Sequence, residues 1–211
     1  MKKVLTLFLI LIIMGIGACS INRNKPQDPK ELKVDLGTLE EQGLRKAIFA
    51  GGCFWCVESA FDDLDGVAQA LSGYTGGDMI DPTYKDHGDH LEAVEVVYDP
   101  TKITYNDLLN VFWRQINPTD DGGQFVDRGH SYTSAIFYGN DDEKLLAEKS
   151  KEELAASGRY EASIVTPILP AKEFYLAEEY HQDYHIKNPV RYKYYRGGSG
   201  RDAYLERIWG E

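Results

Sequence analysis

The stretch that most constrains the fold runs from residue 46 to residue 64. A short apolar run, Lys46-Ala47-Ile48-Phe49-Ala50, meets Gly51-Gly52 and then Cys53-Phe54-Trp55-Cys56. Beyond it Val57, Ala60, Phe61 and Leu64 fall at i, i+3, i+4 and i+7, the spacing of one helical face. The stretch predicts strand, glycine turn and helix, with Cys53 at or near the first helical turn. Free backbone N–H groups and the positive end of the helix dipole collect there. Both favour a thiolate over a thiol, and the thiolate is the nucleophile. Phe54 and Trp55 set two large apolar side chains beside the sulfur. Such a floor suits a small, soft, apolar substrate group better than a charged one.

The remaining elements follow from periodicity and turn residues. A strand over 46–50 and a helix over 53–64 lead to a strand over 67–73, after the turn at Asp65-Gly66. A Gly-, Asp- and Tyr-rich loop spans 74–90. The strand over 91–98 alternates Glu92 and Glu95 with Ala93, Val94, Val96 and Val97 and stops at Asp99-Pro100. Thr104 or Asn106 caps a helix running to Ile116, with Leu108, Leu109, Phe112 and Ile116 on one stripe. A second loop covers 117–130, then a strand 131–138 and a charged helix 141–157 that ends at Gly158. A strand 161–166 before Pro167 and a helix 172–186 complete the reading, with a Tyr-, Arg- and Gly-rich tail from 188 to 211. The β-α-β-β-α-β order predicts an α+β fold. It matches a split βαβ (ferredoxin-like) two-layer domain with a mixed sheet, long loops and a C-terminal extension.

Residues 1–19 read as a processing segment. Lys2-Lys3 is a basic start, Val4 to Ile16 is almost unbroken apolar sequence, and Ile16-Gly17-Ala18-Cys19 resembles a bacterial lipobox. The expectation is a lipoprotein signal peptide, with Cys19 lipidated as the new N-terminus. The apolar run is shorter than the roughly 18–20 residues needed to span a bilayer. Residues 20–44 read as a polar tether and 45–211 as one catalytic domain. The expected location is an exported, membrane-anchored lipoprotein, on the periplasmic side or the cell surface. Net charge is −11. Cleavage before Cys19 removes Lys2 and Lys3, leaving 21 basic against 34 acidic residues, or −13. Such a domain repels nucleic acid and anionic lipid, so membrane contact is expected through the lipid alone. No long heptad or apolar stripe marks a dimer, and a monomer is expected. With Cys19 assigned to lipid, Cys53 and Cys56 remain. They are too close to staple a fold and read as a reactive pair.

A nucleophile needs partners. Glu92 opens an apolar strand, where a half-buried carboxyl would stay protonated and act as a donor. Asp127 lies in an aromatic-flanked loop, Gln124-Phe125-Val126-Asp127-Arg128-Gly129, and Tyr84 and Tyr132 lie in or beside the two long loops. Each of these also has an ordinary structural reading. His181 and His185 are i, i+4 but lack the Glu of a zinc-protease signature. Neither a metal nor another cofactor is expected.

Gly52-Cys53-Phe54-Trp55-Cys56 resembles the active-site signature of the A-type peptide methionine-(S)-sulfoxide reductases. The likeness covers about 45–209. It takes in Ser72-Gly73-Tyr74-Thr75-Gly76-Gly77, Pro82-Thr83-Tyr84, His90-Leu91-Glu92-Ala93-Val94, Asn117-Pro118-Thr119, Asp127-Arg128-Gly129, Tyr132-Thr133-Ser134 and Ala177-Glu178-Glu179-Tyr180-His181-Gln182-Asp183-Tyr184. The resemblance implies that Cys53 attacks the sulfoxide sulfur and becomes a sulfenic acid as methionine leaves. It implies that Phe54 and Trp55 hold the substrate methyl and that Glu92 protonates the sulfoxide oxygen. Tyr84 and Tyr132 would then donate hydrogen bonds, and Asp127 would support the site. It also implies repair of oxidised proteins or free methionine sulfoxide with a thioredoxin-like reductant. Two departures stand out: no Cys follows residue 56, and the loop between Tyr84 and Glu92 is short. Cys56 either resolves the sulfenic acid as a disulfide or is a small core residue, leaving an external thiol to do so. Two rival readings are a C-x-x-C thiol–disulfide oxidoreductase and a tethered module that binds oxidised or apolar peptides without turnover.

Overall fold

The computed structural model describes Leu39 and residues 41–210. The leader, Cys19 and most of the tether lie outside the described residues. The chain from Arg45 builds β1 (Arg45–Gly51), α1 (Phe54–Phe61), β2 (Val67–Thr75), β3 (Leu91–Tyr98) and α2 (Tyr105–Trp113). It continues through β4 (Gly123–Gln124), β5 (Asp127–Arg128), β6 (Ser134–Tyr138), α3 (Asp141–Ala156), β7 (Ile168–Pro170) and β8 (Tyr175–Leu176). Three helices close it: α4 (Tyr184–Lys187), α5 (Pro189–Gly198) and α6 (Arg201–Trp209). The fold is α+β with a mixed sheet.

Six strands form that sheet in the order β7-β6-β1-β3-β2-β8. Only the β6–β7 pair is parallel. Strand alternation sorts side chains to two faces. Ala47 and Phe49 of β1 join the larger core with Val57 and Phe61 of α1 and Leu108, Leu109 and Phe112 of α2. Phe49 stacks between Phe61 and Phe112, with ring centroids at 5.3 and 5.1 Å. Ile48 and Ala50 point the other way, to Leu91, Ala93, Ala135 and Phe137, with Phe174 packed against them. Both faces of the central strands are therefore dry, which fixes register.

The caps settle local choices. Thr104, not Asn106, begins α2 through a capping box with Asp107. Asn140 accepts from Glu143 N to begin α3, and Gly158 takes the left-handed conformation beyond its end.

Three expected elements differ. No strand forms over 161–166; the three-residue β7 lies past Pro167 instead. Thr166 is buried and engaged by side chains, with its hydroxyl on Ser134 Oγ at 2.8 Å and its carbonyl on Lys151 Nζ at 2.6 Å. The Pro167 carbonyl then accepts from Ile136 N, and the ladder starts at Ile168. The strand expected from 131 begins at Ser134, because His130–Tyr132 form a 3-10 turn after Gly129. The helix expected over 172–186 is replaced by edge strand β8, a 3-10 turn at Glu179–His181 and the short α4. Tertiary hydrogen bonds override helical periodicity there. The Gln182 side chain imitates a strand partner, accepting from Ser72 N at 3.0 Å and donating to Ser72 O at 2.8 Å and Ala177 O at 2.9 Å. Close approach is possible because residue 73 is glycine: a Cβ there would lie 2.3 Å from the Phe174 ring. His181 and His185 consequently do not share a helix.

Candidate active site

Cys53 is the residue preceding α1, at the end of β1 and its glycine turn. Gly52 has φ +79°, and a Cβ on it would stand 2.5 Å from Gln124 Cβ, so only glycine lets β1 turn into the helix here. The Gln124 side chain bridges Asn117, accepting from its N at 2.7 Å and donating to its O at 2.9 Å. It anchors the β4–β5 hairpin (Gly123–Arg128) against this turn. Phe125, at φ +58°, makes the hairpin bend, and its ring lies beneath the Arg201 guanidinium at 4.6 Å. The hairpin thereby presents Asp127 to the cleft.

The cleft holds about 60 Å³ and is lined by Cys53, Phe54, Trp55, Tyr84, Glu92, Asp127, Tyr132 and Tyr195. Seven of these are the residues singled out from sequence. Three stretches far apart in the chain bring them together: the start of α1, the loop after β2 with the start of β3, and the segment from Asp127 to Tyr132. Cys56, the remaining candidate, is buried one turn along α1 and does not line the cleft. Tyr195, from α5, was not anticipated. Its hydroxyl is 2.5 Å from Asp127 Oδ2 and within hydrogen-bonding reach of Cys53.

Glu92 Oε2 accepts from Phe54 N at 3.0 Å, so the carboxyl sits on the first free N–H of α1. Burial dominates, however, and pushes its pKa up to about 8. At neutral pH Glu92 is a neutral acid in the cleft, able to donate a proton. Tyr84 and Tyr132 both line the cleft and both are raised, chiefly by burial. The short loop before Glu92 closes on itself, with Thr83 and Asp86 bridged and His87 Nε2 on Ser131 Oγ at 2.9 Å. It forms a wall despite its length.

The two sulfurs reverse one expectation. Burial and the neighbouring Cys56 hold Cys53 well above the usual thiol range. Cys56 is lowered to about 6 by the hydrogen bond from Cys53, helped by the guanidinium groups of Arg201 and Arg196. The negative charge of the resting pair therefore rests mainly on Cys56. The helix N-terminus does not serve Cys53 because its first N–H is given to Glu92. Arg196 donates to Cys56 O at 3.3 Å and Gln115 Oε1 at 3.1 Å. Arg201 is fully buried and donates to Gly51 O at 3.2 Å and to Gln115 O. These arginines, like Tyr195, lie in the tail. Sequence marked it only as rich in Tyr, Arg and Gly, because no spacing announces which face α5 and α6 turn inward.

The aromatic floor is pinned from beneath. Trp55 stacks on Tyr184 with centroids 3.8 Å apart, and its Nε1 donates to His181 Nδ1 at 3.1 Å. His181 is buried among Phe54, Trp55, Tyr84 and Tyr180, and burial lowers its pKa to about 4. It is a neutral acceptor. Among the described residues no three His, Cys, Asp or Glu side chains converge as a metal site.

Comparison with known proteins gives a consistent result. The profile of the family described as "Peptide methionine sulfoxide reductase" matches residues 45–211. The peptide methionine sulfoxide reductase MsrA of Bacillus licheniformis is 52% identical over 168 residues, covering 78% of this chain and 93% of that protein. Among solved structures, reduced Mxr1 from Saccharomyces cerevisiae superposes with a TM-score of 0.65 at 33% identity, covering 71% of this chain and 88% of that one. Mxr1 crystallised in complex with Trx2 gives 0.51 at 26% identity, with 71% and 88% covered. The chain belongs to the A-type peptide methionine sulfoxide reductase family.

Proposed function

We propose that this protein reduces the S epimer of methionine sulfoxide, free or within proteins, at Cys53 and so repairs oxidative damage. One observation carries the reading: a buried thiol and a carboxyl kept protonated by burial meet in a small cleft with an aromatic floor. The pair holds one proton between two sulfurs, and Cys53 reacts from the state in which that proton sits on Cys56. The Cys53 thiolate bonds to the sulfoxide sulfur while Glu92 protonates the oxygen. Tyr84 and Tyr132 are placed to donate to that oxygen. The sulfur–oxygen bond breaks, the hydroxyl passes to Cys53 as a sulfenic acid, and methionine leaves reduced. A sulfoxide oxygen leaves poorly as an oxyanion, so a donor aimed at it lowers the barrier. Phe54 and Trp55 receive the methyl, and Asp127, tied to Tyr195, supports the site.

Cys56 then resolves the intermediate. The Cys56 sulfur attacks Cys53 and gives up the proton it kept to the departing hydroxide, so that water leaves and a disulfide joins the two. The hydrogen bond between the sulfurs and the two arginines facing Cys56 support this role over a merely packed Cys56. A thioredoxin-like dithiol restores both thiols, a reading supported by the Mxr1–Trx2 complex. A C-x-x-C disulfide exchanger would have no use for a protonated Glu92 in its cleft, which disfavours that alternative.

The antiparallel order β6-β1-β3-β2 supports reading the centre of the domain as a split βαβ, ferredoxin-like sheet with additions at both edges. The Lys2-Lys3 start and the Gly17-Ala18-Cys19 site support an exported lipoprotein whose catalytic domain, from residue 45, hangs on a polar tether. Incorporation of labelled fatty acid, lost in Cys19→Ser, checks the anchor.

Turnover of separate S and R epimers of a blocked methionine sulfoxide with excess dithiothreitol tests the activity. The S epimer alone turns over, and Cys53→Ser abolishes it. Cys56→Ser retains turnover with dithiothreitol, accumulates sulfenic acid, and loses turnover with a thioredoxin-type donor. No turnover of either epimer by the intact protein would overturn the reading.

A further inference from the structure

The size of the group that fits beside Cys53 depends on where the Trp55 indole stands. Trp55 is the second residue of α1, and the helix fixes only its backbone. Three contacts fix the ring. Tyr184 stacks on it with centroids 3.8 Å apart and planes 8° from parallel. Tyr195 meets it at 5.7 Å and 82°. Ring contacts of this kind set the plane of the indole but resist turning within that plane only weakly. The bond from Trp55 Nε1 to His181 Nδ1, at 3.1 Å, is directional and stops that motion.

His181 is a costly residue to place there. It is buried, its Nε2 has no hydrogen-bond partner among the described residues, and Glu178 Oε2 stands 3.9 Å away. A buried polar atom without a partner lowers stability, and an apolar side chain would fill the same space without that cost. What the imidazole supplies and a hydrocarbon cannot is the acceptor at Nδ1. Because Nδ1 accepts, the proton of the neutral ring sits on Nε2. The ring also packs on Phe54 and Tyr84, with centroids at 4.9 and 4.5 Å. Glu178, three residues earlier, accepts from Tyr84 N at 3.0 Å. One short turn therefore holds Phe54, Trp55 and Tyr84 from behind while lying outside the cleft they line.

We propose that His181 is a positioning residue that sets the width of the alkyl subsite, so that the cleft takes methyl sulfoxides and turns away sulfoxides carrying a larger S-alkyl group. The inference rests on Phe54 and Trp55 receiving the substrate methyl and deepens that reading. The cleft holds about 60 Å³, so a small turn of the indole decides whether one more methylene enters.

The test measures kcat/KM of the whole protein with dithiothreitol on two blocked S epimers, methionine sulfoxide and its S-ethyl homologue. One methylene in a fitted pocket is worth about 10–200-fold, and the intact protein is expected to favour methyl within that range. His181→Leu nearly keeps the volume and removes the acceptor. The preference should then fall about tenfold, and the methyl substrate should lose through KM more than kcat, because Cys53 and Glu92 are untouched. His181→Asn gives up volume but puts a carbonyl oxygen where Nδ1 stood, and the preference should stay within about twofold of the intact protein. A side chain that only fills space gives the reverse order, with Asn relaxed and Leu unchanged, and that result overturns the proposal. Equal changes in both variants, or no methyl preference in the intact protein, overturn it too. If neither variant folds, the intact protein still decides: nitrogen–nitrogen coupling across the bond between Trp55 Nε1 and His181 Nδ1 is expected at neutral pH, and its absence overturns the proposal. Failure of the intact protein on the methyl substrate would instead overturn the reading of the cleft.

Discussion

The sheet side and the tail side of the cleft hold their functional groups by different means. Cys53 and Glu92 stand at the ends of β1 and β3, two central strands joined by a continuous antiparallel ladder and dry on both faces. Their positions are fixed by many small contributions, each replaceable. Tyr195, Arg196 and Arg201 come instead from helices with few buried residues, α5 and α6. They are held by a few charged hydrogen bonds to carbonyls and carboxylates. The sheet supplies position and the tail supplies charge. One consequence is that damage on the two sides should read out differently, in rate on one and in thiol ionisation and stability on the other.

The largest effect is expected on the sheet side. Glu92→Gln keeps the size and the acceptor for Phe54 N but removes the transferable proton. Loss of a positioned general acid costs about 10²–10⁴ in rate. The loss should fall on kcat with the S epimer, while thermal unfolding stays close to that of the unaltered protein. The same assignment predicts a bell-shaped pH profile. Activity rises as the cysteine pair loses a proton near 6 and falls as Glu92 ionises near 8. In Glu92→Gln the upper limb should vanish. If it persists, Glu92 is not the acid.

Arg201→Gln probes the tail side. It removes a buried charge near Cys56 and leaves the carbonyls of Gly51 and Gln115 short of a donor. Each such carbonyl costs about 1–3 kcal/mol. Because the Arg201 guanidinium helps hold Cys56 low, the midpoint of thiolate absorbance should move up by roughly one unit. An unmoved midpoint with lowered stability would make Arg201 purely structural and erase the contrast between the two sides.

That contrast also explains what the sequence could tell. The sheet side announces itself through local rules. Alternation marks β3, helical spacing marks α1, and Gly51-Gly52 marks the turn between them, so Cys53, Glu92 and the fold class are legible. Phe54 and Trp55 are legible as the floor beside Cys53, whereas Tyr84, Asp127 and Tyr132 stand out only as loop candidates and take their roles from the family resemblance, since an aromatic or an Asp in a loop has no distinctive period. The segment from 172 to 186 misleads because its helical spacing is real, yet Gln182, Glu178 and His181 satisfy partners far along the chain. Tyr195, Arg196 and Arg201 were hidden for the same reason. Their roles are set by what α5 and α6 rest against, and periodicity does not encode a partner.

Glu58 lies at the seam of the two sides and offers the smallest and sharpest test. From α1 it accepts from Ser72 Oγ of β2 at 2.8 Å and from Asp183 N, ahead of α4, at 2.7 Å. Burial raises its pKa from 4.5 to about 8. Between those values the unfolded chain has released a proton that the folded chain keeps. The unfolded state then binds fewer protons, so this group's contribution falls as pH rises through the window and is flat outside it. His181 and Cys56, both lowered, titrate in the opposite sense over parts of the same range, so the total profile does not isolate Glu58. The difference between Glu58→Gln and the unaltered protein does. Relative stability of the variant should climb from pH 4.5 to pH 8 by roughly 1–4 kcal/mol, measured by denaturant unfolding across that range. A difference that stays constant with pH would mean that Glu58 is already ionised when folded. The joint between sheet and tail would then be a charged contact like those of the tail, not a neutral one.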